Sequence, residues 1–304
     1  MKHAFLIAAH QDIEQLYRLI NALDSEYSLF YIHWDKKQEQ LLQQSLYTSK
    51  LKERQNVYFI ESIKVYWGGI SQVLATIELL KVAIQSQETV YFHLLSGVDY
   101  PLKPLPYIWN FFRENSHNYL CYILEESHYE YFIDRYYFYD TNYMDVRGNT
   151  KYKRKLIYYF LLFLQRCSWL LVQKFGIRIR KKVPMKYYHG SNWFSFTREA
   201  VNYILKRVSK ETWLLKRFKY TAVPDESFFT MLIMDNSRLR ETVVNDDLRL
   251  RTPEGKLYRG GGVCTESDFE RIRDSSALFG RKFYTGKSDN LIKRINEEIL
   301  NNYD

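Results

Sequence analysis

The 304 residues include only three cysteines (Cys121, Cys167 and Cys264), and no CxxC pair occurs. That count excludes a disulfide framework and a structural zinc site, and a reducing cytoplasm is the expected compartment. A chain of this length buries about 75% of the surface its unfolded form exposes, so it folds without such staples. No GxGxxG occurs, which argues against the usual dinucleotide fold. GRKFYTGKS (Gly280 to Ser288) places five residues where a phosphate loop needs four, and it lies at the wrong end of the chain. HExxH and GxSxG are both missing, so hydrolase chemistry by a zinc site or a nucleophile elbow has no support. None of the fifteen aspartates forms a DxD pair, the usual Mg²⁺ or Mn²⁺ clamp of nucleotide-sugar transferases.

What is abundant is aromatic: 27 Tyr, 19 Phe and 6 Trp bring the aromatic share to 17%. With 46% hydrophobic and 26% charged residues the chain is globular and not disordered. Its net charge of +9 is local. Lys151–Lys186 holds 11 Lys and Arg with no Asp or Glu, leaving 33 basic against 35 acidic residues elsewhere. A nucleic-acid partner is therefore not expected. The same segment contains LIYYFLLFLQRCSWLLV (Leu156 to Val172), marginal for a bilayer span, which needs about 20 apolar residues. Its basic flanks suit either a helix lying on an anionic membrane surface or a core helix with a solvated end. At the N-terminus, MKHAFLIAAHQD has too short an apolar run for a signal peptide or an anchor.

Along the chain, Ala4 to Ala9 reads as a buried strand. Ile13, Leu16, Leu19, Ile20 and Leu23 then fall on one face of a helix. Strands are expected at Leu29 to Trp34, Asn56 to Glu61 and Thr89 to Leu95. A helix through Ile70, Val73, Leu74, Ile77 and Leu80 has Ser71 as a possible cap. This order indicates an α/β fold with a mainly parallel sheet, whose ligands bind beyond the carboxyl ends of the strands. Those ends carry His10, Asp35 and Asp99. Later, Gly190 to Phe196 reads as a strand, Arg198 to Val208 as a helix, and Pro224 to Asn236 as a helix opened by Pro and acidic residues. His33 and His93, inside strands, read as core histidines. One domain spanning 1–304 is expected, with an inserted basic apolar segment at about 151–186.

Six stretches together resemble the core-2/I-branching β-1,6-N-acetylglucosaminyltransferases, which are grouped with the peptide O-xylosyltransferases. They are IHWDKK (from Ile32), VYWGGISQVLATIELL (from Val65), FHLLSGVDYPLK (from Phe92), HGSNWFSFTREAV (from His189), VPDESFFTML (from Val223) and LFGRKF (from Leu278). LLSGVDYPLK and PDE are the most specific, and about Tyr119 to Lys186 matches poorly. The resemblance implies a GT-A-like nucleotide-sugar-binding fold and transfer from a UDP donor with inversion and without metal or other cofactor.

Without a metal, fixed cations must stabilise the departing diphosphate. The resemblance implies Arg259 and Lys282 for that role, with Asp268 between them. The alternative is that Arg259 is a surface charge and that Arg281, not Lys282, faces the ligand. Taken alone, Glu226 is a helix-start acid favoured by the dipole. With the PDE match it is the implied general base. Ala9, His10, Asp35, Lys37 and Trp67 match uridine-holding positions, where Trp67 can stack on uracil; Asp35 and Asp99 can equally cap loops. Asp99 stands where other GT-A enzymes bind metal. On the acceptor side the resemblance implies Glu126 and Arg135 and adds Trp193, which suits the core equally well. The loop Asn245 to Tyr258 lacks the tryptophan common before the Arg, and the family's paired cysteines and N-terminal anchor are missing too.

The expected protein is thus an inverting UDP-sugar transferase acting on a glycan or lipid-linked glycan. N-acetylglucosamine is the first donor sugar and xylose the alternative. It is expected to be bacterial and cytoplasmic, peripheral to the inner membrane face. A non-catalytic glycan- or lipid-binding protein of the same fold is the rival reading.

Overall fold

Ala4 and Leu6 point to one side of the first strand and Phe5 and Ile7 to the other, and all four are fully buried. A strand covered on both faces belongs inside a layered α/β structure. The computed structural model of the chain describes residues 1–123, 130–138, 152–177, 180–252 and 262–301. Strands β1 (Lys2–Ala9), β2 (Ser28–Trp34), β3 (Val57–Phe59) and β4 (Thr89–Ser96) are parallel neighbours. A three-residue strand β5 (Asp99–Pro101) follows. β6 (Asn118–Ile123) and β7 (His189–Thr197) are antiparallel to each other, and β7 is antiparallel to β4. β8 (Val243–Asn245) closes the far edge beside β6.

The seven-stranded order is β3-β2-β1-β4-β7-β6-β8. A second sheet joins β5 to β10 (Phe279–Arg281) and β10 to β9 (Arg249–Arg251). The α/β class with a mainly parallel central sheet is the one expected from the sequence.

Two apolar layers follow from the alternation. Leu6, Tyr31, Phe92 and Leu94 pack beneath the helices Ser71–Ala83, Arg198–Lys210 and Phe228–Asp235. Phe5, Ile7, Phe30 and Ile32 pack beneath Ile13–Ala22 and Leu105–Arg113. His93 and His33 are both buried in the sheet. His93 reaches His3 (2.9 Å) and Ser195 (2.8 Å), and His33 Nε2 accepts the Ile63 N–H.

Two local expectations are corrected. Ser71 does not cap its helix; its Oγ instead accepts the Tyr66 N–H at 2.8 Å, which fixes the preceding loop. Pro224 does not open one long helix. Pro224–Glu226 is a separate 3-10 turn, and the α-helix starts at Phe228. The break falls at Ser227, whose φ of −136° is not helical, while Val223 ahead of the turn has φ 41°, a costly left-handed backbone for a β-branched residue.

Candidate active site

The chain leaves β1 for β2 on one side and meets β4 on the other, so the sheet has its topological switch point at β1/β4. Crevices form beyond the strand ends at such points. Ala9 lies there, buried, with its carbonyl accepting the Asp35 N–H at 2.9 Å. Gly97 presses against it: a Cβ at Gly97 would stand 2.9 Å from the Ala9 Cβ. His10, next to Ala9, is exposed. Asp12 accepts from the Thr285 N–H (2.9 Å) and Oγ1–H (2.7 Å), while Phe283 N–H donates to the Val98 carbonyl. The stretch after β10 therefore crosses the ends of β1 and β4 and brings Lys282 to the crevice. Lys282 is held through its backbone, N–H to Gly262 and C=O from Cys264.

At the end of β2, Asp35 is nearly buried and acts as a hub. One carboxylate oxygen accepts the N–H groups of Lys37 (2.9 Å) and Val65 (3.3 Å), and the other lies 3.5 Å from Lys37 Nζ. Lys37 Nζ in turn sits 4.7 Å over the Tyr66 ring. The capping role that the sequence left open for Asp35 is thus realised. It fixes the Val65–Tyr66 strap beside Trp67, whose side chain is 50% exposed. An open indole at a crevice is a stacking platform.

Glu226 sits on the 3-10 turn, tied to the Trp67 loop twice. Val223 N–H donates to the Gly68 carbonyl at 3.0 Å. Gln72 bridges the rest, its Oε1 accepting Gly68 N–H (2.6 Å) and its Nε2 donating to Asp225 (3.0 Å). Glu226 Oε2 lies 3.4 Å from His189 Nε2 at the start of β7. Burial pushes His189 down to about 4, so the imidazole is neutral at pH 7. Glu226 is raised above the usual carboxylate range, first by desolvation and then by Asp225, and Arg251 opposes the rise. Asp225 is itself raised by burial. The Glu226 side chain keeps 38% of its surface open, so it is desolvated yet reachable. This combination defines a proton acceptor near neutral pH.

Of the small sheet's arginines, Arg251 acts on this carboxylate, and Arg281 is its neighbour across β9/β10. Arg281, in register with Asp99 across β5/β10, has Nε 3.6 Å from the Asp99 carboxylate and its guanidinium 4.1 Å over the Trp193 ring. Burial lowers its pKa. Asp99 is wholly buried, accepts the Ser96 N–H (2.9 Å) and hydroxyl, and so holds this turn and Arg281. Trp193 is buried beneath that guanidinium. Arg251 pairs with Asp247 and donates to Ser191 Oγ at 2.7 Å. Among the described residues, no three His, Cys, Asp or Glu side chains gather as a metal site.

Of the residues expected from the sequence, Ala9, His10, Asp35, Lys37, Trp67, Asp99 and Lys282 stand around the strand ends, with Glu226 and Trp193 on the β7 side. Arg135 is turned aside, its guanidinium 5.1 Å over the Trp169 ring. Glu126 and Arg259 lie outside the described residues. Sequence reasoning passed over His189, Gln72 and Arg251. The first two stand inside matched stretches, HGSNWF and YWGGISQ, and were legible as polar residues in otherwise apolar motifs.

A mainly parallel α/β sheet thus gathers these groups beyond its strand ends. Residues 3–272 match the Core-2/I-Branching enzyme family, and the chain belongs to it. Xylosyltransferase 1 of Rattus norvegicus is 26% identical over 324 residues, covering 99% of this chain and 36% of that protein. Xylosyltransferase 2 of Homo sapiens is 24% identical over 331 residues, covering 99% of this chain and 34% of its own length. The chain thus spans about a third of the length of these relatives. An active-site mutant of LgtC superposes with TM-score 0.40 at 9% identity, covering 97% of this chain and 94% of that one.

Proposed function

We propose that this chain is an inverting, metal-independent glycosyltransferase. It would move a sugar from a UDP donor to a hydroxyl of a glycan, with Glu226 as general base. The observation carrying this reading is Glu226 itself: a raised, partly open carboxylate 3.4 Å from a neutral histidine, locked to the loop bearing an exposed tryptophan. Uridine stacks on Trp67, and Asp35 with Lys37 frames the nucleotide at the end of β2. The acceptor oxygen attacks the anomeric carbon as its proton passes to Glu226, and the bond to the diphosphate breaks on the opposite face. Two developing charges on the leaving UDP face Lys282, together with Arg259; fixed cations there supply the stabilisation a metal otherwise gives. His189 orients the Glu226 carboxylate. Glu126 remains the proposed acceptor contact, with Arg135, stacked on Trp169, and Trp193, buried beneath Arg281, proposed to shape that side from behind.

N-acetylglucosamine is the proposed donor sugar, and xylose is the second reading, favoured by the names of the relatives. Calorimetric titration of UDP-GlcNAc, UDP-xylose, UDP and GDP in EDTA separates them. Binding of one UDP-sugar over the other, lost in Lys282→Ala, supports the reading. Binding recovered only with Mn²⁺ overturns the metal-independent step.

A further inference from the structure

The helix Tyr152–Phe175 is apolar on both faces. The face turned to the protein carries half-buried Tyr158, Leu161, Leu162, Trp169 and Val172 around Gln165, which is 3% exposed. The outward face carries Leu156, Tyr159, Phe160, Phe163, Leu170 and Phe175, and Phe160 and Phe163 are 59% and 60% exposed. Ile157, Leu164 and Leu171, also exposed, fill the intervals between these positions, so together they form one broad apolar face. From Leu156 to Phe175 it runs about 30 Å at 1.5 Å per residue. Water does not select such a surface; scattered apolar residues are ordinary, but a continuous band marks a contact.

Charge identifies the contact. The 36 residues from Lys151 to Lys186 contain no acidic side chain, and Lys174, Lys181 and Lys182 are exposed at the C-terminal end of the stripe. An apolar stripe flanked by lysines complements an acyl layer beneath anionic headgroups. Orientation follows from how the helix is held. Trp169 packs on Tyr137 at 5.5 Å and lies under the Arg135 guanidinium. Just beyond the helix, buried Arg180 donates to the carbonyls of Ile133, Arg135 and Tyr220. One side of the helix is thus committed to the protein along its length, and exposed Arg166 at mid-length suits an interface from which it can reach water.

We infer that this helix docks the protein onto an anionic phospholipid bilayer, lying in the membrane plane and not crossing it. Docking itself is independent of the transferase reading. One corollary rests on that reading: Phe132, in the turn of chain that Arg180 fixes, packs on His189 at 5.7 Å, so the acceptor side of Glu226 adjoins the docking face. An acceptor carried by a lipid would arrive from there.

The test is vesicle flotation of the whole chain, with phosphatidylcholine vesicles and with vesicles containing phosphatidylglycerol. The wild type should float with the anionic vesicles, less so in high salt, and weakly with phosphatidylcholine alone. Phe160→Asp/Phe163→Asp should abolish flotation, while Lys181→Glu/Lys182→Glu should remove only the preference for anionic lipid. Thermal melts check folding, and Phe160→Gln/Phe163→Gln substitutes if the aspartates unfold the chain. No flotation of the wild type overturns the inference, as does flotation that the stripe variants leave unchanged. A wild-type dimer that these variants convert to monomer, without vesicle binding, assigns the stripe to a second copy instead. UDP titration run on the same samples separates the two ideas, since loss of UDP binding sinks the transferase reading and leaves docking standing.

Discussion

Glu226 Oε2 stands 3.4 Å from His189 Nε2, and burial keeps that imidazole neutral, so the contact is not an ion pair at pH 7. A neutral neighbour does not pull the carboxylate down as an imidazolium would, and the raised Glu226 pKa survives beside it. In the proposed role of base, Glu226 must be ionised before the acceptor's proton is taken. The acid limb of kcat/KM is therefore expected above the ordinary glutamate value of about 4.3. Arg251 holds Glu226 down, so Arg251→Gln should move that limb to higher pH. A limb left at its wild-type position would remove Arg251 from the electrostatics of the base.

Gln72 hydrogen-bonds both Gly68 and Asp225. Gln72→Leu leaves a buried carboxylate with one donor fewer, at a cost of about 1–3 kcal/mol. It also removes one of the two ties between the Trp67 loop and the Glu226 turn, leaving the Val223–Gly68 hydrogen bond, so UDP affinity and turnover should both fall. Urea unfolding and UDP titration read the two effects. A variant that loses stability and keeps both functions would show the tie to be structural only.

Gly190 lies in β7 beside His189, opposite Tyr122 on β6. A Cβ there would stand 1.9 Å from the Cys121 carbonyl oxygen and 2.7 Å from the Tyr122 Cα, both backbone atoms. Gly190→Ala must displace one strand from the other. A loss of about 3 kcal/mol or more is expected in denaturant melts. A melt like that of the wild type would mean that the two strands sit farther apart.

His3 and His93 form a buried pair, and desolvation holds His3 down to about 3 and His93 well below its ordinary value. Below about pH 6.5 the unfolded chain takes up protons these rings refuse, so their contribution favours folding above that pH and is lost as pH falls. Asp225 and Glu226, raised, act with the opposite sign but equally in wild type and variant. His93→Asn should therefore flatten the fall of stability with acid by about 1.4 kcal/mol per pH unit. Urea midpoints of both proteins between about pH 6 and 5 give the comparison, and parallel slopes would contradict it.

The parallel strands were legible because burial on both faces leaves short apolar runs, as in Ala4–Ala9, and the first helices because their apolar residues keep a 3.6-residue step. The small sheet was not legible: β5, β9 and β10 are three residues each, too short for any period to appear. It is this sheet that delivers Arg251, which the sequence did not single out, beside Arg281, which it offered only as an alternative to Lys282. PDE was readable as a motif, but the break after it depends on the backbone at Ser227, which no pattern encodes. Lysine and arginine also look alike as charge. Arg180 counted toward the basic segment, yet it is an internal staple for the carbonyls of Ile133, Arg135, Tyr220 and Arg217, while Lys181 and Lys182 next to it face outward.

The most direct measurement is UDP-sugar turnover and UDP binding in Glu226→Gln. The substitution keeps the shape of the side chain and removes its ability to take a proton. Binding should remain within a fewfold of the wild type while turnover drops about 10²–10⁴-fold, the range expected for a lost general base. Unchanged turnover would contradict the account, because the chain would then transfer without Glu226 as its base.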